Sequence, residues 1–326
     1  MGKLIAIGEA LIDFMPAETG RGLSDVTSFI KCPGGSVANV AVAAARLDQR
    51  AVILTQLGDD AFGDYLCRVI GDSGVDVSAV ARTKDAPTGL AFVSLRKDGE
   101  REFIFYRSPS ADVLMQPNSV DWQLFARDDI LHFCTPAMTY EPMRASIRRA
   151  VETARERGML ISFDPNLRFP LWPSPEALYQ TTWEFIPHVD ILKVGADELE
   201  FITRLPNEEG IGQLLDHVQA VLVTYGGEGA AIYTGGRRVF LQSYDVRAVD
   251  TTGAGDAFIG AFLTRLLDMG DTRPILSELS NMELLSMLRF SHAVAGLVVS
   301  AKGAINAMPD RESVERFMVE HNVDTR

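Results

Sequence analysis

The chain has 326 residues, 47% hydrophobic and 23% charged, enough to bury the core of one large α/β domain with an insertion. Forty-four acidic residues outweigh 31 basic ones, giving a net charge of −13, which argues against nucleic acid or an anionic membrane as the main partner. An anionic small ligand stays open, because one pocket can be positive on an acidic protein.

The amino terminus, MGKLIAIGEALIDF, enters a strand at Leu4 without a basic stretch and apolar signal core. No uncharged apolar run is long enough to span a bilayer, so a cytoplasmic chain is expected. Asp13 closes that first strand and is expected at the carboxyl edge of a parallel sheet, where ligands bind. Residues 14–32 offer further short strands. In KCPGGSVANVAVAAARL, Gly34 and Gly35 precede a small-residue helix over Val37–Leu47, with Asn39 in its first turn. Backbone exposed by two glycines, plus an amide, suits polyhydroxy ligands. A tight loop capped by Asn39 explains the same residues.

Apolar runs then recur from Ala51, Ile130, Met159, Asp190 and Ala220. Helical periodicity separates most of them, over Ala61–Ile70, Pro142–Arg157, Ala196–Thr203 and Glu208–Val218. This alternation predicts a mostly parallel sheet covered on both faces. GLAFVSLRKDGEREFIFYR, from Gly89 to Arg107, breaks the rhythm with two alternating strands around Asp98-Gly99, a hairpin signal. Phe103 and Phe105 share one of its faces. A small β-insertion standing off the body would act as a lid that excludes water, although an ordinary edge hairpin has the same pattern. Asp164, Asn166 and Arg168 in FDPNLR follow another strand, and the Arg168 guanidinium is a candidate phosphate clamp.

VDTTGAGDAFIGAF, from Val249 to Phe262, carries the sharpest signal. Asp245–Val249 alternates like a short strand, and Phe258, Phe262 and Leu266 recur at helical spacing. Gly253, Ala254 and Gly255 therefore form a turn into a helix whose first turn holds Asp256. Free amides and the positive dipole end at a helix start attract anions. Asp is also a favoured N-cap, but a cap needs no glycines before it. A phosphoryl group resting on these amides would leave Asp256 placed to take a proton from an attacking hydroxyl. The stretch is neither a Walker A loop nor a dinucleotide fingerprint.

Cys32, Cys67 and Cys134 are scattered, and the five histidines lie far apart, so neither a disulfide framework nor a zinc site is implied.

With these motifs in hand, the chain resembles the ribokinase-like (PfkB) sugar kinases, and among them the fructokinases most. DTTGAGDAF and PGGSVANVAVAAARL match the two family signatures. GEALIDF, the segment from Leu90 through SPSADVLM, and DPNLRFPLWPS extend the likeness along the whole chain. The resemblance implies one kinase domain over residues 1–326, a three-layer α/β/α sandwich with a mostly parallel central sheet. A discontinuous β-lid would be drawn from about 14–32 and 88–110. It implies transfer of the ATP γ-phosphoryl to the 6-hydroxyl of D-fructose. Asp256 would be the base and the Gly253–Gly255 backbone the anion hole. An unperturbed carboxylate is a weak base at pH 7, tolerable where positioning supplies most of the catalysis.

By the same matching, Asp13, Gly34, Gly35 and Asn39 would hold sugar hydroxyls, Phe103 and Phe105 would close over the sugar, and Arg168 would bridge toward the phosphates. Thr224, Gly226 and Gly229 match the nucleotide loop, Lys193 the nucleotide-side lysine, and Glu198 an acid acting near Mg²⁺ through water. Asp250, Thr252 and the carbonyls of Val298, Ala301 and Gly303 would cage an activating K⁺. Gly195 stands where many members have Asn, and Tyr225 where Leu is commoner. His292 replaces an Asn near the adenine side and reads as a plain helix residue ahead of an adenine neighbour. Asp48, for Gly, follows the Asn39 helix; Asp tolerates a left-handed helix end. Same-fold kinases of aminoimidazole riboside, 2-keto-3-deoxygluconate or ribose are the near alternatives, and a non-catalytic sugar- or nucleotide-binding relative the distant one. The exposed edges of a flat lid favour a homodimer through it.

Overall fold

The computed structural model describes residues 2–18, 20–95, 101–270 and 276–321. The chain opens with strand β1 (Leu4–Ile7), then β2 (Leu11–Pro16), β3 (Phe29–Gly34), helix α1 (Ser36–Arg46) and β4 (Ala51–Leu54). There follow β5 (Gln56–Gly58), α2 (Ala61–Asp72), β6 (Ala81–Thr83), β7 (Leu90–Leu95), β8 (Arg101–Tyr106), β9 (Ile130–Cys134), α3 (Glu141–Arg157), β10 (Leu160–Asp164) and α4 (Pro175–Phe185). The remainder comprises β11 (Ile191–Gly195), α5 (Ala196–Thr203), α6 (Asn207–Leu215), β12 (Ala220–Thr224), β13 (Ala230–Thr234), β14 (Arg237–Leu241), α7 (Ala254–Asp268), α8 (Asn281–Val299) and α9 (Arg311–Glu320).

Eight strands form the central sheet in the order β14-β13-β12-β11-β10-β9-β1-β4, parallel from β12 to β4 and antiparallel through β12, β13 and β14. Alternation along each strand divides the core. Leu4 and Ala6 face a cluster built on α1, α7 and α8, while Ile5 and Ile7 face one built on α3 to α6. Both sheet faces are thus buried, which explains why these strands read as continuous apolar runs. α8 is long and apolar enough, by length and composition, to cross a bilayer, yet Leu284, Leu288 and Val294 are buried in the first cluster.

A four-stranded sheet, β3-β2-β7-β8, stands off the body. β7 and β8 pair antiparallel from Leu90↔Tyr106 to Leu95↔Arg101, as the hairpin reading requires; the Asp98-Gly99 turn lies outside the described residues. Asp13 differs from expectation. β1 stops at Ile7, Gly8 turns the chain at φ 156°, and Asp13 sits on β2 of the small sheet, paired with Cys32 and Ala91. Periodicity ran through this break because LIAIGEALIDF is apolar on both sides of it. Residues 245–249 are not a strand; Val249 and Asp250 donate instead to the Val299 carbonyl.

Two contacts aim the site. α1 is rich in alanine, and α7 carries Gly260, where a β-carbon would lie 2.8 Å from Ala43 Cβ. These helices therefore pack closely enough to bring Asn39 and Asp256, 217 residues apart, into hydrogen-bonding contact. Asp48 adopts φ 65° just after α1, the left-handed exit anticipated for it.

Candidate active site

Two cavities meet at the start of α7. One, of about 440 Å³, lies between the small sheet and the carboxyl ends of the parallel strands. Its walls carry Asp13, Gly35, Asn39, Phe105, Arg168, Lys193, Glu198 and Asp256. The other, of about 510 Å³, is lined by Gly229, Tyr244, Phe258, His292, Ala295 and Val299. Thr224, Gly226, Thr251 and Gly255 line both. A polar chamber and a more apolar one thus share a doorway at a helix N-terminus, whose first amides have no intrahelical acceptor. A larger depression, of about 630 Å³, lies at the opposite edge of the sheet beside Arg155, His188 and Asp190; it contains none of the residues singled out by the sequence.

Asp256 is buried in the first turn of α7, which begins after Gly253 in the left-handed region at φ 77°. Its Oδ2 accepts from Asn39 Nδ2 at 2.7 Å, and its Oδ1 from Asn166 Nδ2 at 3.4 Å. Burial pushes its pKa up to about 7, with Asp164 adding to the rise, while the Asn39 hydrogen bond, Lys193 and Arg168 oppose it. The carboxylate is therefore not the unperturbed weak base that sequence suggests. Asn166 holds φ 44°, a region that Asn tolerates better than most residues, and its N–H donates to Asp164 Oδ1 at 3.1 Å.

Asp13 faces Asp256 across the polar chamber. Burial raises its pKa to about 7, against the pull of Arg168 and with repulsion from Glu9 and Asp256. Gly34 is required beside it, because a β-carbon there would lie 2.0 Å from Asp13 Oδ2. Gly35, at φ 110°, passes so close that a β-carbon would meet the Glu9 carbonyl at 2.4 Å. Phe105 lines the chamber, whereas the Phe103 side chain lies outside what the structure describes. Arg168 is exposed, with Nη1 donating to the Leu167 carbonyl at 3.1 Å.

Lys193 belongs to the polar chamber and not to the apolar one. Its Nζ lies 2.9 Å from Asp164 Oδ2, and the carboxylates of Asp164 and Glu198 raise its pKa against burial. It sits under the start of α7, where a Gly255 β-carbon would approach Nζ to 3.0 Å. Glu198 uses both oxygens on backbone, accepting from Leu167 N at 2.6 Å and Gly195 N at 2.7 Å. A second lone pair on each oxygen remains for a water. Thr224 ends β12, and Gly226 (φ 58°) and Gly229 (φ 132°) bend the loop behind it. His292 joins these residues on the wall of the apolar chamber. It lies on α8, where burial lowers its pKa to about 4. The neutral ring contacts the Leu241 carbonyl through Nε2 at 3.1 Å and lines the apolar chamber.

Asp250 draws the remaining candidates together. Its Oδ1 accepts from Thr252 N at 3.0 Å and Thr252 Oγ1 at 2.7 Å, and its Oδ2 from Gly303 N at 3.0 Å. Val298 and Ala301 are joined at the end of α8, Ala301 N to Val298 O at 3.2 Å. A carboxylate and a hydroxyl meet beside this loop, and oxygen groups of this kind suit a hard cation. Among the described residues no cluster of three His, Cys, Asp or Glu forms a metal site.

Among the buried charged residues of the polar chamber, sequence reading missed Glu9 and Arg107. Both are buried and line it. Charged residues inside otherwise apolar strand ends, GEAL and FYRS, are the signal that could have found them, since such groups are seldom buried without a purpose.

The chain matches the pfkB family carbohydrate kinases over residues 1–311. It is 41% identical to a probable fructokinase-2 of Arabidopsis thaliana over 94% of this chain and 93% of that protein. The structure superposes on a fructokinase from Xylella fastidiosa with bound ATP at a TM-score of 0.90, with 33% identity and coverage of 98% and 99%. It superposes on the fructokinase of Vibrio cholerae O395, solved with fructose, ADP and calcium, at 0.87, with 32% identity and coverage of 97% and 99%. A double mutant of that enzyme is solved with fructose, ADP and potassium.

Proposed function

Because this chain belongs to the pfkB family of carbohydrate kinases, phosphotransferases with an alcohol acceptor, we propose that it transfers the γ-phosphoryl of ATP to the 6-hydroxyl of D-fructose. The products are fructose 6-phosphate and ADP. The observation that carries this reading is the pair of chambers meeting at Gly255, with Asp256 on the polar side of the doorway. The polar chamber takes the sugar, through Asp13, Asn39 and the backbone at Gly34 and Gly35, with Phe105 closing above it. The apolar chamber takes the nucleoside beside His292, and Thr224, Gly226 and Gly229 lead its phosphates to the doorway. The ATP-bound Xylella enzyme and the fructose- and ADP-bound Vibrio enzyme support the choice of these two ligands.

At the doorway Asp256 accepts the proton of the attacking hydroxyl while Asn39 and Asn166 orient its carboxylate. A pKa near 7 suits that task, since a base is most effective when its pKa lies near the working pH. The backbone of Gly253, Ala254 and Gly255 offers donors to the transferred group, and Arg168 and Lys193 add positive charge on the phosphate path. Mg²⁺ bound with ATP would neutralise phosphate charge, and Glu198 would hold it through water. The oxygen set of Asp250, Thr252, Val298, Ala301 and Gly303 fits K⁺, which would fix the loop leading into α7. The chain works as one kinase domain with the four-stranded sheet as its lid. Ile104 and Tyr106, exposed on that sheet, face a second copy in a lid-to-lid dimer; a monomer mass independent of concentration would refute the dimer. The unpaired thiols of Cys32, Cys67 and Cys134 agree with a reducing cytoplasm.

The test is ADP release with Mg²⁺-ATP across D-fructose, ribose, 2-keto-3-deoxygluconate and aminoimidazole riboside, with and without K⁺. Preference for fructose supports the reading. Turnover of another sugar keeps the mechanism and replaces the substrate. ATP binding without any turnover returns the chain to a non-catalytic relative.

A further inference from the structure

Glu9 occupies the crossing where the chain leaves β1 for the small sheet. It is 1% exposed. Its Oε1 accepts the N–H of Ser36, the first residue of α1, at 2.7 Å, where the helix dipole favours a negative group. Its Oε2 is buried and has no hydrogen-bond partner among the described residues, although Glu9 lines the polar chamber. Burial raises the pKa of Glu9, and the nearby Arg107 guanidinium works against that rise. Arg107 uses its two Nη atoms elsewhere, on Asp112 and on the Pro136 carbonyl at 3.0 Å, its Nε is buried without a partner among the described residues, and it closes no ion pair with Glu9.

An α1 cap needs one acceptor oxygen, which a serine or asparagine would supply without burying a charge. The second oxygen of Glu9 gains nothing for the fold and costs stability while it lacks a donor. The Asn39 Oδ1 is likewise buried without a partner and lines the same chamber. Two unmatched acceptors and the unmatched Arg107 Nε donor among the residues lining one cavity describe a surface built for a ligand that brings hydroxyl groups, which both donate and accept.

Resting on the sugar-kinase reading above, we infer that Glu9 is a specificity-determining sugar contact, its free carboxylate oxygen accepting one hydroxyl of the acceptor sugar opposite the wall formed by Asp13. The contact is rigidly placed, because the other oxygen is anchored on α1 and the Gly35 backbone packs on the Glu9 carbonyl. It lies in the polar chamber, away from the apolar chamber that would hold the nucleoside. Loss of this oxygen is therefore read in sugar affinity, with little change in ATP affinity.

Glu9→Gln is the informative variant, since its carbonyl still accepts from Ser36 and only the unmatched atom changes from acceptor to donor. The experiment measures KM and kcat for the wild type and Glu9→Gln, with the sugar that the wild type turns over and a set of its monodeoxy analogues. Calorimetric sugar binding and melting temperature are recorded alongside. The expected result is a sugar KM raised about tenfold, with ATP KM and kcat within about twofold. For one deoxy position alone, the wild type and the variant should become equal. An unchanged sugar KM, or a variant-to-wild-type ratio identical for every analogue, overturns the inference and leaves Glu9 a helix cap. Failure of the wild type to turn over any sugar overturns the kinase reading, and this inference with it.

Discussion

Replacing the proposed base should make the protein more stable as it makes the enzyme inactive, and by an amount that depends on pH. Asp256 has a folded pKa of about 7 against an ordinary 3.8. Below pH 4 its carboxyl is neutral in both folded and unfolded chains, and folding pays no penalty. As pH rises, the unfolded carboxyl ionises first, and stability falls until the folded group also ionises near pH 7. At about 1.4 kcal/mol per pH unit, the penalty reaches about 4 kcal/mol above pH 7 and is less than half of that at pH 5. Asp256→Asn removes it. With a melting temperature that moves about 2 °C per kcal/mol in a chain of this size, the variant should melt about 8 °C above wild type at pH 8 and about 3 °C above it at pH 5. Loss of repulsion on Asp13, whose own pKa Asp256 helps to raise, adds in the same direction. Differential scanning calorimetry at the two pH values is the assay. An advantage equal at both, or a variant less stable than wild type at pH 8, would refute the claim that this site stores the cost of a buried charge.

Wild-type kcat/KM should rise about tenfold per pH unit below pH 7 and level off near pH 8, because the base Asp256 titrates near 7; a flat profile from 6 to 8 would contradict this. Gly34→Ala places a β-carbon 2.0 Å from Asp13 Oδ2, so the sugar KM should rise by about a hundredfold, with ATP KM steady in the same steady-state assay. Gly253→Ala combines φ 77° with a β-carbon 2.6 Å from Ala304 Cβ and should cost about 2–4 kcal/mol in urea unfolding; a loss below about 1 kcal/mol would show that the loop relaxes freely. Asp250→Asn sets an amide against the Gly303 N–H now held by Oδ2, and should abolish the response of the rate to K⁺ at constant ionic strength.

The parallel sheet and the start of α7 were readable from sequence because their signals are local: apolar runs of strand length, and two glycines before an acid. What brings the site together was not local. Asn39 and Asp256 meet only because Gly260 lets α7 pack on α1. Asp13 was misplaced because its apolar neighbours continue across the Gly8 turn, and no periodicity distinguishes a strand that crosses into a second sheet. The pKa of Asp256 depends on burial under groups from β10, β11 and α1, so the residue was identifiable as a candidate base while its strength was not. Glu9 was passed over for the same reason, since nothing in GEAL reveals that one carboxylate oxygen is taken by Ser36, 27 residues away.

The central claim is tested most directly by following labelled γ-phosphoryl from ATP to fructose in a single turnover, for wild type and Asp256→Asn, with fructose affinity measured on both. The account predicts phosphate on the 6-hydroxyl with the wild type. It predicts a rate at least about a hundredfold lower in the variant, with fructose affinity within a few-fold. A variant that retains more than about a tenth of the wild-type rate, or a wild type that labels no sugar, would contradict it.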